Sequence, residues 1–373
     1  MGSPPKPTSQ WDYLNAQIAE LREGEPFTER EGVIRSTNMS LGQACPRKYC
    51  FACRLGLLKK KYFDAKRAAH VGSFAHAAIA GMLCAPDPAT HPVVAAMEVD
   101  KLLAKEEEAT TRTLGGDAAG LAGMLPDTDK ALADLAKDSR VGLIMALFFR
   151  KQVPVLFDRA RWEPLKVESK LTATLPTGVY KIRASLIGRI DCVMKNVQTG
   201  EAWLMDHKTT GESPVLRALT FPFDKQARLY RLLWSICVPD VPLVGVIHNV
   251  ILRPTIRLKK NQTLEEYAKE VEEWYEARRV ESDTPAVVSS QIRYTEDLLE
   301  HEFLEQLRRA SRQATAPIDF DEFYPNESTC LKFGKPCQYL DICRAPRHQW
   351  SSIIADGYGQ RWREDDEDEE TPE

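Results

Sequence analysis

Two apolar runs that each end on a carboxylate constrain this chain more than anything else in its sequence. Leu186-Ile-Gly-Arg-Ile-Asp191 leads into a short polar stretch, and Ala202-Trp-Leu-Met-Asp206-His-Lys208-Thr-Thr follows. Both read as strands. A turn around Gln198-Thr-Gly200 would set Asp191 and Asp206 side by side. Paired carboxylates with a lysine at the alternate position suit Mg²⁺-assisted phosphodiester hydrolysis. Hard oxygen ligands hold the cation, and an ammonium holds or polarises the attacking water. Taken alone, Asp-x-Lys is equally well read as a turn residue at a strand end.

Cysteines add a second constraint. Of nine, Cys330, Cys337 and Cys343 cluster within Cys330-Leu-Lys-Phe-Gly-Lys-Pro-Cys337-Gln-Tyr-Leu-Asp-Ile-Cys343. Close thiols in a chain without a secretory segment point to a metal or cluster site before a disulfide framework. A fourth thiolate is needed. Cys45, in Ser40-Leu-Gly-Gln-Ala-Cys45-Pro-Arg-Lys-Tyr49, is the obvious donor, with Cys50 and Cys53 as rivals. Four such cysteines hold Zn²⁺ as readily as an iron–sulfur cluster. Cys84, Cys192 and Cys237 sit in apolar contexts and read as small core residues.

These residues together resemble a RecB/Cas4-type nuclease of the PD-(D/E)xK superfamily, in the branch with a four-cysteine iron–sulfur cluster. The resemblance spans roughly residues 36 to 345. Cys45-Pro-Arg-Lys-Tyr matches the family's N-terminal cysteine segment, and Gly72-Ser-Phe-Ala-His76 its Gly-x-x-x-His helix. Gly188-Arg-Ile-Asp191 and Asp206-His-Lys208-Thr209 match the two catalytic strands. Gln226-Ala-Arg-Leu-Tyr230 matches the Gln-x-x-x-Tyr helix, and the cysteine trio closes the set. Each is weak alone; six in order are not a chance pattern. The gap from Cys330 to Cys337 is longer than the tight pair common in the family.

The resemblance implies an α/β fold with a PD-(D/E)xK restriction-endonuclease-like core. A central mixed sheet is flanked by helices, with a helical N-terminal part and an iron–sulfur C-terminal segment. It implies Mg²⁺ or Mn²⁺ held by His76, Asp191 and Asp206, with the backbone carbonyl of His207 also reaching the metal. Lys208 would hold the water and stabilise developing negative charge. Gln226 and Tyr230, one helical turn apart, would contact a DNA phosphate or the lysine. Strand alternation turns the His207 side chain away from Asp206 and Lys208. Glu168 matches a recurrent acidic position to which no role attaches. A [4Fe–4S] cluster on Cys45, Cys330, Cys337 and Cys343, with structural Zn²⁺ as the alternative, would clip two chain segments nearly 300 residues apart.

Net charge is −4, at odds with a nucleic-acid partner until its distribution is read. Residues 364–373 carry eight acidic and no basic side chains; without them 50 basic face 46 acidic, a net of +4. Such a tail reads as disordered and solvated. Between residues 39 and 62 a helix plus extension carries Arg47, Lys48, Arg54, Lys59, Lys60 and Lys61, interleaved with Tyr49, Phe51 and Tyr62. Arg47, Lys48, Lys59, Lys60 and Lys61 suit DNA phosphates with rings under bases. A solvated face over buried aromatics explains the pattern as well.

Along the chain, Trp11, Leu14, Ile18 and Leu21 recur at helical spacing. Residues 105 to 130 read as a mobile connector, and a helix is expected from about Ala131 to Arg150. Strands dominate from Leu165 to Lys208, with a turn near Pro176-Thr-Gly178. A helix follows, then a central strand over Leu243–Leu252 and two charged helices at about 263–280 and 294–313. Helix, three strands, helix, strand is the core order of the family. The organisation expected is a disordered start and N-terminal helix (1–35), one nuclease module (36–345) and an extension with the acidic tail (346–373). Within the module, 36–155 is helical, 156–260 is the catalytic sheet and 261–345 holds helices and the cysteine segment.

No run is long and apolar enough for a membrane span, and no phosphate-binding Gly-x-x-x-x-Gly-Lys motif supplies a helicase. The expectation is therefore a cytoplasmic DNA exonuclease of a bacterial or phage-infected cell, acting on ends or single-stranded flaps. Its setting is recombination, repair or phage DNA metabolism, with a helicase, recombinase or integrase as partner. The rivals are a Cas4-like trimming factor in a CRISPR adaptation complex and a non-catalytic DNA-end-binding scaffold.

Overall fold

The computed structural model describes residues 33–59, 67–115, 128–174, 185–294, 298–315, 323–332 and 335–360. The expected N-terminal helix, the turn at Pro176–Gly178, Lys60, Lys61, Tyr62 and the acidic tail lie outside them. The chain divides into two compact units, one of residues 65–173 and 187–301, the other of residues 1–64, 174–186 and 302–373.

The first unit is a mixed sheet with helices. Its elements are helices α1 (Arg67–Cys84), α2 (His91–Gly115) and α3 (Thr128–Gln152), then strands β1 (Trp162–Thr174), β2 (Ser185–Asn196) and β3 (Ala202–Thr210). Short α4 (Pro214–Ala218) and α5 (Lys225–Cys237) precede β4 (Leu243–Leu252), α6 (Leu264–Glu276) and β5 (Val287–Arg293). The strand order is β2-β3-β4-β5, with β1 also on β2. β3 and β4 run parallel; β2–β3 and β4–β5 are antiparallel. This is the α/β, PD-(D/E)xK-like architecture expected, with the helix, three strands, helix, strand order intact.

Hydrophobic pattern explains the layers. α1 buries Phe74, Ala75, Ala78, Ile79 and Met82, a helical stripe that packs on Val141, Met145 and Phe149 of α3, and Gly142 of α3 lets the two helices come close at Phe74. These pack with Trp203 and Met205 of β3 and Ile247 and Ile251 of β4. β3 and β4 are buried along nearly their whole length, as central strands covered on two faces are. The β2–β3 turn closes on Asn196, whose side-chain oxygen accepts from the amides of Gln198 and Thr199, with Gly200 at φ +73°.

Two expectations give way. α2 runs through to Gly115, so residues 105–115 are helix and not connector. Their Lys, Glu, Ala and Leu are good helix formers, and a solvated helix needs no aromatics. β5 has no counterpart in the sequence reading. Its Val-Val-Ser-Ser-Gln-Ile-Arg alternates buried and exposed as a one-sided edge strand, with serines where branched residues would signal a strand.

The second unit gathers Tyr49, Phe51, Leu55 and Leu57 with Phe323, Tyr339, Trp350, Ile354 and Tyr358 into one core. Leu57–Lys59 pairs antiparallel with Tyr358–Gln360, and the Tyr339 hydroxyl donates to Leu57 O at 2.6 Å. Arg47 Nε donates to Phe323 O at 2.9 Å, and Arg54 to Gln313 O at 2.8 Å. Val33–Ile34 pairs in parallel with Ser185 and Leu186.

Candidate active site

The β2–β3 hairpin delivers Asp191 and the Asp206-His-Lys208 segment to one end of the sheet. Asp191 Oδ2 accepts from the backbone amide of His207 at 2.6 Å, so the two strands meet at their functional residues. Alternation along β3 then sorts the side chains. Asp206 and Lys208 share one face, and His207 enters the opposite, apolar one beside Phe149. Burial holds its imidazole down at about 4, hence neutral.

His76 of α1, Glu168 of β1 and Asp191 of β2 form one group, each offering a ligand atom within 4.8 Å of the others. His76 Nδ1 lies 3.6 Å from Asp191 and 3.9 Å from Glu168. α1 reaches this position because Gly72, one turn before His76, lies against β3; a Cβ there would stand 2.9 Å from Thr209 Oγ1. Glu168 is held at φ +44°, the one non-glycine residue with positive φ among those described. Burial first, and the adjacent Asp191 charge second, push its carboxyl up to about 7. Burial would lower the His76 imidazole, yet Asp191, Glu168 and Asp206 raise it above its ordinary value. Two carboxylates and an imidazole converge there, with Arg189 near enough to oppose the rise at Glu168. That oxygen-rich donor set fits a divalent cation such as Mg²⁺ or Mn²⁺.

Asp206, expected as a cation ligand beside His76 and Asp191, has both its oxygens bonded to other partners. Its Oδ1 takes Lys208 Nζ at 2.8 Å, and its Oδ2 meets His248 Nδ1 at 2.9 Å. His248 is its register partner on β4 and is wholly buried. Burial opposes ionisation, but Lys208 and His248 hold the Asp206 carboxyl down at about 2. Lys208 Nζ also donates to Gln226 Oε1 at 2.5 Å, and Gln226 Nε2 donates to the Tyr230 hydroxyl at 2.6 Å. Burial would neutralise this ammonium; Asp206, Asp224 and Asp191 keep it charged, above its ordinary range. Asp224 caps α5, accepting from Gln226 N at 2.8 Å, and its carboxylate closes a second group with Asp206 and His248. The Lys208 ammonium already supplies the positive charge there.

The structure thus brings His76 to Asp191 and adds Glu168, while Asp206, Lys208, Gln226 and Tyr230 form an adjoining chain of hydrogen bonds. Of the two contacts open to Gln226, a phosphate or the lysine, it makes the second. Asp224 and His248 had no sequence signal beyond an Asp before a helix and a histidine in an apolar strand. A cavity of about 1240 Å³ opens beside the His76 group and is lined by Arg189, Lys101 and Lys105 as well.

In the other unit Cys45 Sγ accepts from the amides of Lys48 and Asn326, both at 3.4 Å. Burial raises the Cys330 and Cys343 thiols, the neighbouring Cys337 and Cys45 add to the rise, and the Arg47 charge opposes it at Cys343. Cys50 instead lies wholly buried beside Cys53, its thiol pushed up to about 12 by burial. Cys192 is a core residue as expected, but Cys84 and Cys237 are exposed at the ends of their helices. Tyr49 and Phe51 are core, stacked on Phe323 and packed on Tyr339 and Trp350. Arg47 lies over Trp350 while bonded to Phe323. Lys48 sits beside Cys45, and Lys59 ends the Leu57–Lys59 strand.

Among the described residues no helix is long and apolar enough to cross a membrane. A search of curated proteins finds no match. Among solved structures, that of SSO0001 is similar at 11% identity over 82% of this chain and 87% of that one, with a TM-score of 0.30. The model of the PD-(D/E)XK nuclease superfamily matches residues 36–344, which takes in both units and every motif residue described above. With its mixed sheet and flanking helices, the chain belongs to the PD-(D/E)XK nuclease superfamily.

Proposed function

We propose that this nuclease is a Mg²⁺- or Mn²⁺-dependent DNA exonuclease of RecB/Cas4-like type. It acts at DNA ends or single-stranded flaps in recombination, repair or phage DNA metabolism. The observation that carries the reading is the junction of two devices at the His207 amide. On one side stands the His76, Glu168 and Asp191 group; on the other, the ammonium of Lys208 fixed by Asp206 and Gln226.

His76, Glu168 and Asp191 would hold the cation. When bound, it supplies charge neutralisation at the scissile phosphate and activation of water. The chain's own part is positional. Asp206 and Gln226 anchor Lys208 through two acceptors, leaving its remaining N–H for the attacking water or a phosphate oxygen. Tyr230 orients the Gln226 amide so that its oxygen faces the lysine. His248 fixes the second Asp206 oxygen. Such preorganised donors act where charge develops.

The cysteine set fits a [4Fe–4S] cluster on Cys45, Cys330, Cys337 and Cys343. What supports it is that these four cysteines fall in one unit, that the Cys337 amide donates to Cys330 O at 2.7 Å, and that two amides donate to Cys45 Sγ, as amides do to cluster-bound sulfur. A brown protein with stoichiometric iron is expected; a colourless anaerobic preparation with stoichiometric zinc would replace the cluster by Zn²⁺.

The test is digestion of end-labelled linear and covalently closed circular single-stranded DNA with Mg²⁺, Mn²⁺ or EDTA. Metal-dependent loss of the linear form only, absent in Lys208→Ala although that variant still binds DNA, is expected. Cutting of circles makes the enzyme an endonuclease. No cutting by cluster-loaded protein refutes the exonuclease reading.

A further inference from the structure

The segment joining β3 to α5 carries an apolar surface that the catalytic chemistry does not use. Val215, Leu216, Leu219 and Phe223 are 48%, 65%, 69% and 66% exposed. Four of the twelve exposed large hydrophobics among the described residues thus fall within nine positions, a cluster rather than the usual scatter. Between Ser213 and Phe223 the one charged residue is Arg217.

The segment is held from behind. Phe221 is buried and stacks on the His248 ring, centroids 4.1 Å apart at 20°. Arg228 Nη2 donates to Pro222 O, and Thr220 Oγ1 to Arg217 O, both at 2.8 Å. Phe221 therefore leans on the histidine that fixes Asp206. Phe223 directly precedes Asp224, whose carboxylate lies within 4.8 Å of Asp206 and His248 ligand atoms. Adjacent Cα atoms are about 3.8 Å apart. The surface is thus tied to the Asp206 and Lys208 network at two points, through Phe221 on His248 and through Asp224.

We propose that residues 214–223 are a nucleobase platform. Phe223, flanked by Leu219 and Leu216, stacks on an unpaired base next to the scissile phosphate, and Arg217 meets the backbone. Bases in a duplex hide their faces in the stack, so only single-stranded or frayed DNA gains this contact. The platform is the element that selects unpaired strands, and it rests on the nuclease reading above. The face itself carries one charge, the cationic Arg217, which suits bases under a polyanion, while Glu212 and Asp224 flank it in sequence.

The experiment is fluorescence anisotropy in EDTA with a labelled single strand, the same-length strand of abasic sites, and a blunt duplex. It compares wild type, Phe223→Ala and Phe223→Trp, alongside digestion assays with Mg²⁺. Phe223→Ala weakens the intact single strand about tenfold or more and leaves the abasic strand unchanged, and Phe223→Trp restores binding. Equal binding by Phe223→Ala and wild type overturns the proposal, as does an equal loss on intact and abasic strands. A change of oligomeric state at unchanged strand affinity assigns the surface to a protein contact and also overturns it. Wild type that cuts DNA while any of these holds removes the platform alone. Wild type that neither binds nor cuts any of the three removes the nuclease reading and the platform with it.

Discussion

Glu168 occupies a position that resists it twice. Its backbone lies in the left-handed region at φ +44°, which costs a non-glycine residue of order 1–3 kcal/mol. Its carboxyl is pushed up to about 7 by burial and by Asp191. A carboxyl raised in the folded state favours protonation there, so ionising it destabilises the fold as pH rises from its ordinary value through about 7. Glu168→Gln should therefore raise the melting temperature of metal-free protein at about pH 8, with the gain fading toward about pH 5. A gain that persists at the lower pH, or none at either, would show that the charge is not the source. By the same sign, protons on Glu168 and His76 compete with the cation. Mn²⁺ affinity measured by calorimetry should rise between about pH 6 and pH 8, and Glu168→Gln should lose it. The sequence exposed Asp191, Asp206 and Lys208 because motif spacing is local. It left Glu168 without a role, because only the tertiary placement of β1 sets its carboxyl beside His76. His248 was silent for the same reason: it reaches Asp206 across a parallel strand pair 42 residues away in sequence.

At the scale of elements, α5 matters through how closely it seats on β2. Gly188 lets it do so: a Cβ there would lie 2.7 Å from the Tyr230 ring and 2.9 Å from Leu233. Gly188→Ala should displace Tyr230, cost about 1–3 kcal/mol in stability, and lower kcat as Gln226 loses its partner. Denaturant titration and steady-state kinetics check both, and a variant with wild-type kcat would detach Tyr230 from the positioning of Lys208. The motif glycines were legible as letters, but their reasons are contacts. Gly188 answers to a ring on α5 and Gly72 to a threonine on β3. β3 and β4 were legible as continuous apolar runs. β5 was not, because an edge strand needs only one apolar face and spends the other on serine, glutamine and arginine.

At the scale of the whole molecule, the cysteine-bearing unit is assembled from three stretches of chain, residues 1–64, 174–186 and 302–373. Its core joins Phe51 to Trp350, and Cys45 Sγ accepts a hydrogen bond from the Asn326 backbone amide. Cys343→Ala should lower soluble yield and melting temperature more than it changes the chemical step. Wild-type stability with full iron content would refute the clip. Composition could not reveal this unit, because closure of so long a loop is visible only where the distant segments share one core.

That discontinuity sets an order of events during biosynthesis. Cys45 leaves the ribosome 298 residues before Cys343. At about 5–20 residues per second this is a delay of roughly 15–60 s. Throughout it, Tyr49, Phe51 and a nucleophilic thiol wait without the partners that will bury them. The nascent chain must be shielded, and whatever fills the cysteine site can be inserted only near the end of translation. If the cysteines hold the proposed cluster, the supply of iron at that late moment would limit how much finished enzyme forms.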